Sequence, residues 1–369
     1  MFRSVGGEKT HNSKLMMRAS FQKYTLQFKQ PSGTSRGIYT TRDSWFIFVT
    51  DGVNTGIGEC APLPDLSMEN PKKMSAKLCQ VVDQISYFAA NLDELNNWSS
   101  IKFGIETALL DFKNGGTKEL FPSAFSRGEQ GIPINGLIWM GSPDFMKQQI
   151  RAKLEAGFHC IKMKIGALDF ETEFEILKAI REEFSPEEIT LRVDANCAYT
   201  YKTALENLKR LADLHIHSIE QPIETGRWKE LADLCRQSPV PIALDEELIY
   251  ITTAKEKQRL LETVNPAYLI LKPSLHGGFS GCENWIELAE KHNCGWWVTS
   301  ALESNIGLNA IAQWTFHIQA RNEQGLGTGQ LFTNNFDSPL EVAGEQLWFR
   351  PEQTWNLSKL QSELDEDDF

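Results

Sequence analysis

Residues 160–166 read CIKMKIG, two lysines set inside an apolar run. Side chains two apart on a strand share a face, so Lys162 and Lys164 point one way while Ile161, Met163 and Ile165 point the other. At a sheet edge, such lysines deter edge-to-edge pairing. On an enclosed strand, two neighbouring ammonium groups need a counterpart. The sequence on either side decides between these readings.

After about residue 130 the chain alternates short apolar runs with polar, helix-periodic segments, the pattern of repeated strand–helix units. Eight runs read as strands: IPINGLIWM (132–140), CIKMKIG, ITLRVDAN (189–196), IHSIEQPI (216–223), PIALDEE (241–247), YLILKPS (268–274), GWWVTSALES (295–304) and a short last one in GLGTGQLF (325–332). Between them, DFETEFEILKAIREEF (169–184), YTYKTALENLKRLADL (199–214) and GCENWIELAEKHN (281–293) carry amphipathic stripes. Eight parallel strands with outer helices make a β/α barrel, whose chemistry belongs at the C-terminal ends of the strands. Little chain remains for a full eighth helix before Pro339. The expected α/β architecture over 126–339 is therefore a modified TIM barrel, (β/α)7β-like.

Upstream, FQKYTLQF (21–28) and SWFIFVTDGVNTGIGECAPLP (44–64) read as an antiparallel meander with turn chemistry at Asp51-Gly52 and Gly56. Residues 69–113 become helix-periodic, ending in SIKFGIETALLDFKNGG (100–116), where Gly115-Gly116 marks a stop. Residues 1–125 are expected to form a small α+β domain, to which 340–369 return.

A chain of 369 residues accommodates a barrel of about 250 residues and a smaller domain. No apolar run reaches the roughly 18 residues a membrane helix needs, and the N-terminal stretch lacks a secretory apolar core, so neither a membrane partner nor export is expected. Seven cysteines are widely spread without metal-ligand spacing, which fits reduced thiols in a cytoplasmic protein. A net charge of −12 argues against nucleic acid and for small-molecule chemistry, and the LDEDDF end reads as a solvated tail. No feature specifies an oligomeric state.

The strand ends carry the functional case. They offer Lys162 and Lys164 on strand two, Asp194 and Asn196 on strand three, Glu220 on strand four, Asp245 on strand five and Lys272 on strand six. The spacings of 26, 25 and 27 residues from Asp194 to Lys272 each equal one strand–helix unit, returning each group to one rim. Three carboxylates converging there would repel one another unless a cation lay between them. Oxygen-only ligands select a hard ion, Mg²⁺ with Mn²⁺ as a possible substitute, and disfavour zinc. Lys164 and Lys272 would flank that ion from opposite sides, and positive neighbours lower a lysine's pKa towards the range of a useful base. A base beside a divalent ion suggests removal of a proton alpha to a carboxylate, giving an enediolate whose second negative charge the ion can bind.

The motifs KMK (162–164), DAN (194–196), EQP (220–222), LDEE (244–247) and LKPS (271–274) together resemble the muconate-lactonizing-enzyme branch of the enolase superfamily. GECAPLP (58–64) and FGIETALLDF (103–112) are similar to that branch's N-terminal α+β capping domain. Within the branch, SGTSRG (32–37), TSALESNIGL (299–308) and GLGTGQLF resemble the o-succinylbenzoate synthases of menaquinone biosynthesis. The resemblance implies Asp194, Glu220 and Asp245 as Mg²⁺ ligands, Lys164 as acid/base and Lys272 as its counterpart across the site. It implies Lys162, Arg192 and Asn196 as support for the substrate carboxylate and the metal shell, with Arg36, Ser300, Ser304 and Gly329 as further substrate-binding candidates.

The implied reaction is a lyase reaction, dehydration of 2-succinyl-6-hydroxy-2,4-cyclohexadiene-1-carboxylate to 2-succinylbenzoate. Epimerisation of dipeptides, racemisation of N-acylamino acids and cycloisomerisation use the same groups and stay open, as does a non-catalytic barrel. Strand five departs from the branch in reading Asp245-Glu246-Glu247, and a period of two puts Asp245 and Glu247 on one face. Motif position selects Asp245. GLGTGQLF lacks the acid pair with which dipeptide epimerases hold an ammonium group, which favours a substrate without one. His276-Gly277-Gly278 reads as turn geometry and Trp296-Trp297 as core.

Overall fold

In the computed structural model, which describes residues 17–34 and 37–360, CIKMKIG becomes an interior strand. Arg36 and the LDEDDF tail lie outside the described residues.

The N-terminal unit is a meander of β1 (Arg18–Thr34), β2 (Gly37–Thr50) and β3 (Thr55–Cys60), followed by α1 (Met74–Asp83), α2 (Ile85–Ala90) and α3 (Ser99–Lys113). Residues 45–49 are apolar at every position because the sheet is covered on both faces. Trp45, Ile47 and Val49 pack on the helices through Leu78, Ile85 and Ile105, whereas Phe46 and Phe48 meet Ile306 and Phe336 of the barrel unit. α3 lies so close to β3 that a Cβ at Gly58 would come within 1.9 Å of the Gly104 carbonyl oxygen. Only glycine permits that approach.

After β4 (Ile132–Pro133) the barrel begins at β5 (Gly136–Ile138), then alternates: α4 (Pro143–Glu155), β6 (Cys160–Lys164), α5 (Phe170–Glu183), β7 (Thr190–Asp194), α6 (Tyr201–Asp213) and β8 (Ser218–Glu220). It continues through α7 (Trp228–Gln237), β9 (Ile242–Leu244), α8 (Ala254–Val264), β10 (Tyr268–Leu271), α9 (Gly278–Lys291), β11 (Gly295–Val298) and α10 (Asn305–His317). The parallel sheet runs in chain order from β5 to β11. Ile161 and Met163 join the core beneath the helices, which leaves the lysines of β6 for the barrel interior. Edge protection is therefore not their role.

GLGTGQLF does not supply a full eighth strand. Gln324 and Gly325 make single parallel bridges to Ile134 and Thr299, and residues 327–330 turn away. Asn135 N donates to the Gln324 carbonyl at 3.0 Å and Gly325 N to the Val298 carbonyl at 2.8 Å, closing the barrel. A Cβ at Gly325 would sit 2.2 Å from Thr299 Oγ1, so glycine allows the closure while weakening any longer ladder. Beyond it, β12 (Leu340–Ala343) and β13 (Gln346–Phe349) form a hairpin that pairs with β4, and Trp355 and Leu357 pack with Phe46 and Phe48. Among the described residues no helix is long and apolar enough to cross a membrane.

Candidate active site

Parallel register builds one wall of the site directly. Lys164 on β6 is level with Asp194 on β7, and Asp194 with Glu220 on β8. Asp245 and Lys272 follow the last residues of β9 and β10. Four strand positions separate β6 from β10 in a barrel closed at eight, so Lys164 and Lys272 enter from opposite walls.

Asp194, Glu220 and Asp245 are buried and each offers a carboxylate oxygen within 4.8 Å of the others. Lys162 Nζ contacts Glu220 and lies 3.0 Å from Asp194 Oδ2. Lys164 Nζ lies 3.1 Å from the same oxygen and donates to Asn196 Oδ1 at 2.8 Å. Lys272 Nζ is 2.5 Å from Asp245 Oδ2. Asn196 Nδ2 in turn donates to Glu246 Oε1 at 3.0 Å.

Three oxygens of this cluster, Glu220 Oε1, Asp245 Oδ1 and Glu246 Oε2, are buried without a hydrogen-bond partner. Bare buried carboxylate oxygens are costly, and a hard cation would satisfy them. Charge points the same way: Asp194, Glu220, Asp245 and Glu246 outnumber Lys162, Lys164 and Lys272 by one. A divalent ion would turn that excess of negative charge into one positive charge. The residues therefore fit a divalent metal.

The protonation equilibria carry the strain of this crowding. Burial raises Glu220 against the pull of Lys162, and with Asp194 and Asp245 adding to it the carboxyl reaches about 7. Glu246 is pushed up to about 7, first by burial and then by Asp245 and Asp194. Burial would also raise Asp194, but Lys162, Lys164 and Lys272 outweigh it and hold the group below the usual carboxylate range. Burial would depress Lys272, yet Asp245 and Glu246 hold its ammonium above the ordinary lysine range.

Backbone geometry sends the two acids of strand five, Asp245 and Glu247, in different directions. β9 ends at Leu244, and Glu246–Leu248 form a single 3-10 turn, so the period of two fails after Asp245. Glu247 is carried away from the cluster, where its carboxylate accepts from Trp228 Nε1 at 2.7 Å and Gly226 N at 2.9 Å. Glu246 takes the place beside Asn196 that the sequence reading gave to neither of them.

Lys162, Lys164, Asn196, Lys272 and Ser300 line one cavity of about 310 Å³. Tyr39, Leu63 and Leu66 of the N-terminal unit cover it from the other side. Trp139, the residue after β5, stands at its edge, with Lys164 Nζ 6.0 Å from the ring centroid; its place follows the same strand-end rule as Asp245 and Lys272. Three expected substrate contacts are elsewhere. Arg192 lies one layer below Asp194, donating to the Glu323 carbonyl at 2.8 Å and stacking on Trp297 at 4.3 Å. Ser304 caps α10, accepting from Ile306 N at 3.2 Å and donating to Glu59 Oε2 at 2.6 Å. Gly329 borders a different, polar depression beside Asn335. Trp297 is buried as expected, but its edge also reaches the cavity.

Comparison with known proteins agrees with this geometry. Residues 16–112 match the MenC N-terminal domain family and residues 145–350 the Enolase C-terminal domain-like family. The o-succinylbenzoate synthase of Desulfotalea psychrophila is 44% identical over 363 residues, covering 90% of this chain and 98% of that protein. The chain belongs to the o-succinylbenzoate synthase family of the enolase superfamily. The crystal structure of MenC from Desulfotalea psychrophila superposes with a TM-score of 0.81 at 41% identity, covering 90% of this chain and 99% of that one. The family's fold is shared more widely: the L-Ala-D/L-Glu epimerase of Bacillus subtilis superposes with a TM-score of 0.78 at 21% identity, covering 90% and 95% of the two chains.

Proposed function

We propose that this chain is an o-succinylbenzoate synthase, a lyase that dehydrates 2-succinyl-6-hydroxy-2,4-cyclohexadiene-1-carboxylate to 2-succinylbenzoate. One observation carries the choice over an amine-binding epimerase. Among the described residues lining the cavity, the only acids are Asp194 and Glu246, both engaged in the charge cluster. A substrate ammonium would be buried without a counter-charge, whereas an anionic succinyl substrate meets lysines, hydroxyls and apolar walls. Racemisation of N-acylated amino acids remains compatible with the same cavity, because acylation removes the charge.

Asp194, Glu220 and Asp245 would hold a divalent cation, Mg²⁺ by ligand chemistry with Mn²⁺ as a substitute, and it would supply positive charge for a substrate carboxylate. Lys164 takes the proton alpha to that carboxylate. Lys272 stays protonated on the opposite wall and faces the negative charge developing on the substrate. The C–O bond breaks as the ring becomes aromatic, and the hydroxyl leaves as water with the proton that Lys164 took and returns as acid. Tyr39, Leu63 and Leu66 keep bulk water from the reacting face.

Seven widely spread cysteines and a net charge of −12 support a cytoplasmic setting and a small carboxylate partner, with no nucleic-acid or membrane partner. The test is to supply the cyclohexadiene to purified Mg²⁺-loaded protein and follow 2-succinylbenzoate by absorbance. Stoichiometric product is expected. A folded, metal-loaded protein that forms none would refute the assignment.

A further inference from the structure

The segment that follows Lys272 holds that residue's backbone on both sides. The Lys272 carbonyl accepts from Leu275 N at 2.8 Å and from His276 N at 3.0 Å. The Lys272 N–H donates to the imidazole Nδ1 of His276 at 3.0 Å. β10 ends one residue earlier; its pairing with β11 stops at Leu271, whose carbonyl accepts from Thr299 N, just past β11, at 2.8 Å. The sheet thus stops supporting the chain where the ammonium-bearing residue begins. Pro273, without an N–H, cannot add a ladder bond and restricts the backbone of the residue before it.

We propose that His276 is a positioning residue for Lys272, its Nδ1 accepting the Lys272 backbone N–H and so fixing the direction in which the ammonium leaves the end of β10. His276 was expected only to shape a turn. It does more because its side chain returns to the residue four positions earlier, and because it is 5% exposed and confined. It borders a cavity of about 20 Å³ with Ser99 of α3, Lys257 of α8 and Gly281 of α9, so three elements fence the ring. With Nδ1 accepting, Nε2 carries the hydrogen; Nε2 is buried without a protein partner. Burial, then Lys272 and Lys257, hold the imidazole well below the ordinary histidine range, which keeps the Nδ1 lone pair available.

Two substitutions of similar size separate positioning from packing. Asn places an oxygen where His has Nδ1, whereas Gln places its polar atoms near Nε2 and loses the acceptor. The inference rests on Lys272 acting in the proposed reaction, so two readouts are taken on the metal-loaded protein: steady-state kinetics and hydrogen exchange of the Lys272 amide. For His276→Gln, kcat should fall roughly ten- to a hundredfold, as expected for a misaimed catalytic group, with KM and metal affinity within about twofold. Its Lys272 amide should exchange faster, and His276→Asn should restore both kcat and protection. Wild-type kcat in His276→Gln would overturn the inference. Equal loss of kcat and of melting temperature in both variants would do so too, since the role would then be packing. Amide protection is read without turnover, so an inactive wild-type protein would count against the reaction and not against the hydrogen bond.

Discussion

From β6 round to β10 the barrel rim presents Lys164, Asp194, Glu220, Asp245 and Lys272, one ionisable group at each strand end. From β11 through Gln324–Gly325 to β5 it presents Thr299, Ser300, Thr328, Asn135 and Trp139, none of them charged. The charged half is a continuous ladder, with five register pairs between β6 and β7 alone. The uncharged half is closed by single-residue bridges across glycine. Opposed charges must be held at fixed spacing to satisfy one another, which a ladder provides. Close approach of backbone to a substrate needs small residues, which a ladder of β-branched side chains would obstruct. In the proposed function the reaction belongs to the first half and substrate choice to the second.

The largest effect should come from the charged half. Lys164→Ala is expected to lower kcat by about 10³-fold or more with the melting temperature near wild type, because the side chain lines the cavity wall, where the proposed reaction uses it as base, and is not part of the core. Lys164→Arg should fail similarly, since a guanidinium does not give up its proton. Near-normal turnover in either would remove the base from β6.

Next in size is the contrast on strand five. Asp245→Asn should weaken metal affinity at least about tenfold and lower activity with it, one unit of ligand charge being lost. Glu247→Gln should leave metal titration unchanged and reduce stability by about 1–3 kcal/mol in denaturant melts, because the hydrogen bonds to Trp228 and Gly226 weaken. The reverse pattern would exchange the two roles. Arg192→Met sharpens the depth of the site: with its guanidinium committed to Glu323 and Trp297, stability should drop by about 1–3 kcal/mol while KM stays within about twofold.

The smallest effect belongs to the uncharged half. Thr328 Oγ1 donates to Ser300 Oγ at 2.8 Å beside the cavity. Thr328→Val should raise KM a few-fold and leave kcat nearly unchanged, as a loss of one neutral hydrogen bond to the substrate-facing wall. A large fall in kcat with constant KM would place chemistry on this side and dissolve the distinction.

The charged half was legible in the sequence because one strand–helix unit separates successive groups, so spacing alone brings Asp194, Glu220, Asp245 and Lys272 to a common rim. Depth was not legible. Arg192 shares a face with Asp194 by the period of two, but one pleat lower the side chain meets Glu323 instead of the cavity. The period also broke unseen at Asp245, where a 3-10 turn exchanges Glu247 for Glu246. GLGTGQLF has the length of a strand, yet its glycines let tertiary closure replace pairing. Ser304 looked like a ligand-facing hydroxyl in a motif, and capping of α10 with Glu59 from a distant strand explains it instead. Such contacts are nonlocal and leave no periodic trace.

The most direct measurement runs two substrates in parallel in deuterated water with Mg²⁺-loaded protein, followed by NMR. One is the succinyl cyclohexadiene carboxylate and the other a dipeptide with a free amino terminus. A dehydratase with an acid-free selecting half converts the first to the aromatic product and leaves the dipeptide's alpha proton unexchanged. Rapid exchange of the dipeptide, with no aromatic product from the cyclohexadiene, would contradict the division of the rim and the function read from it.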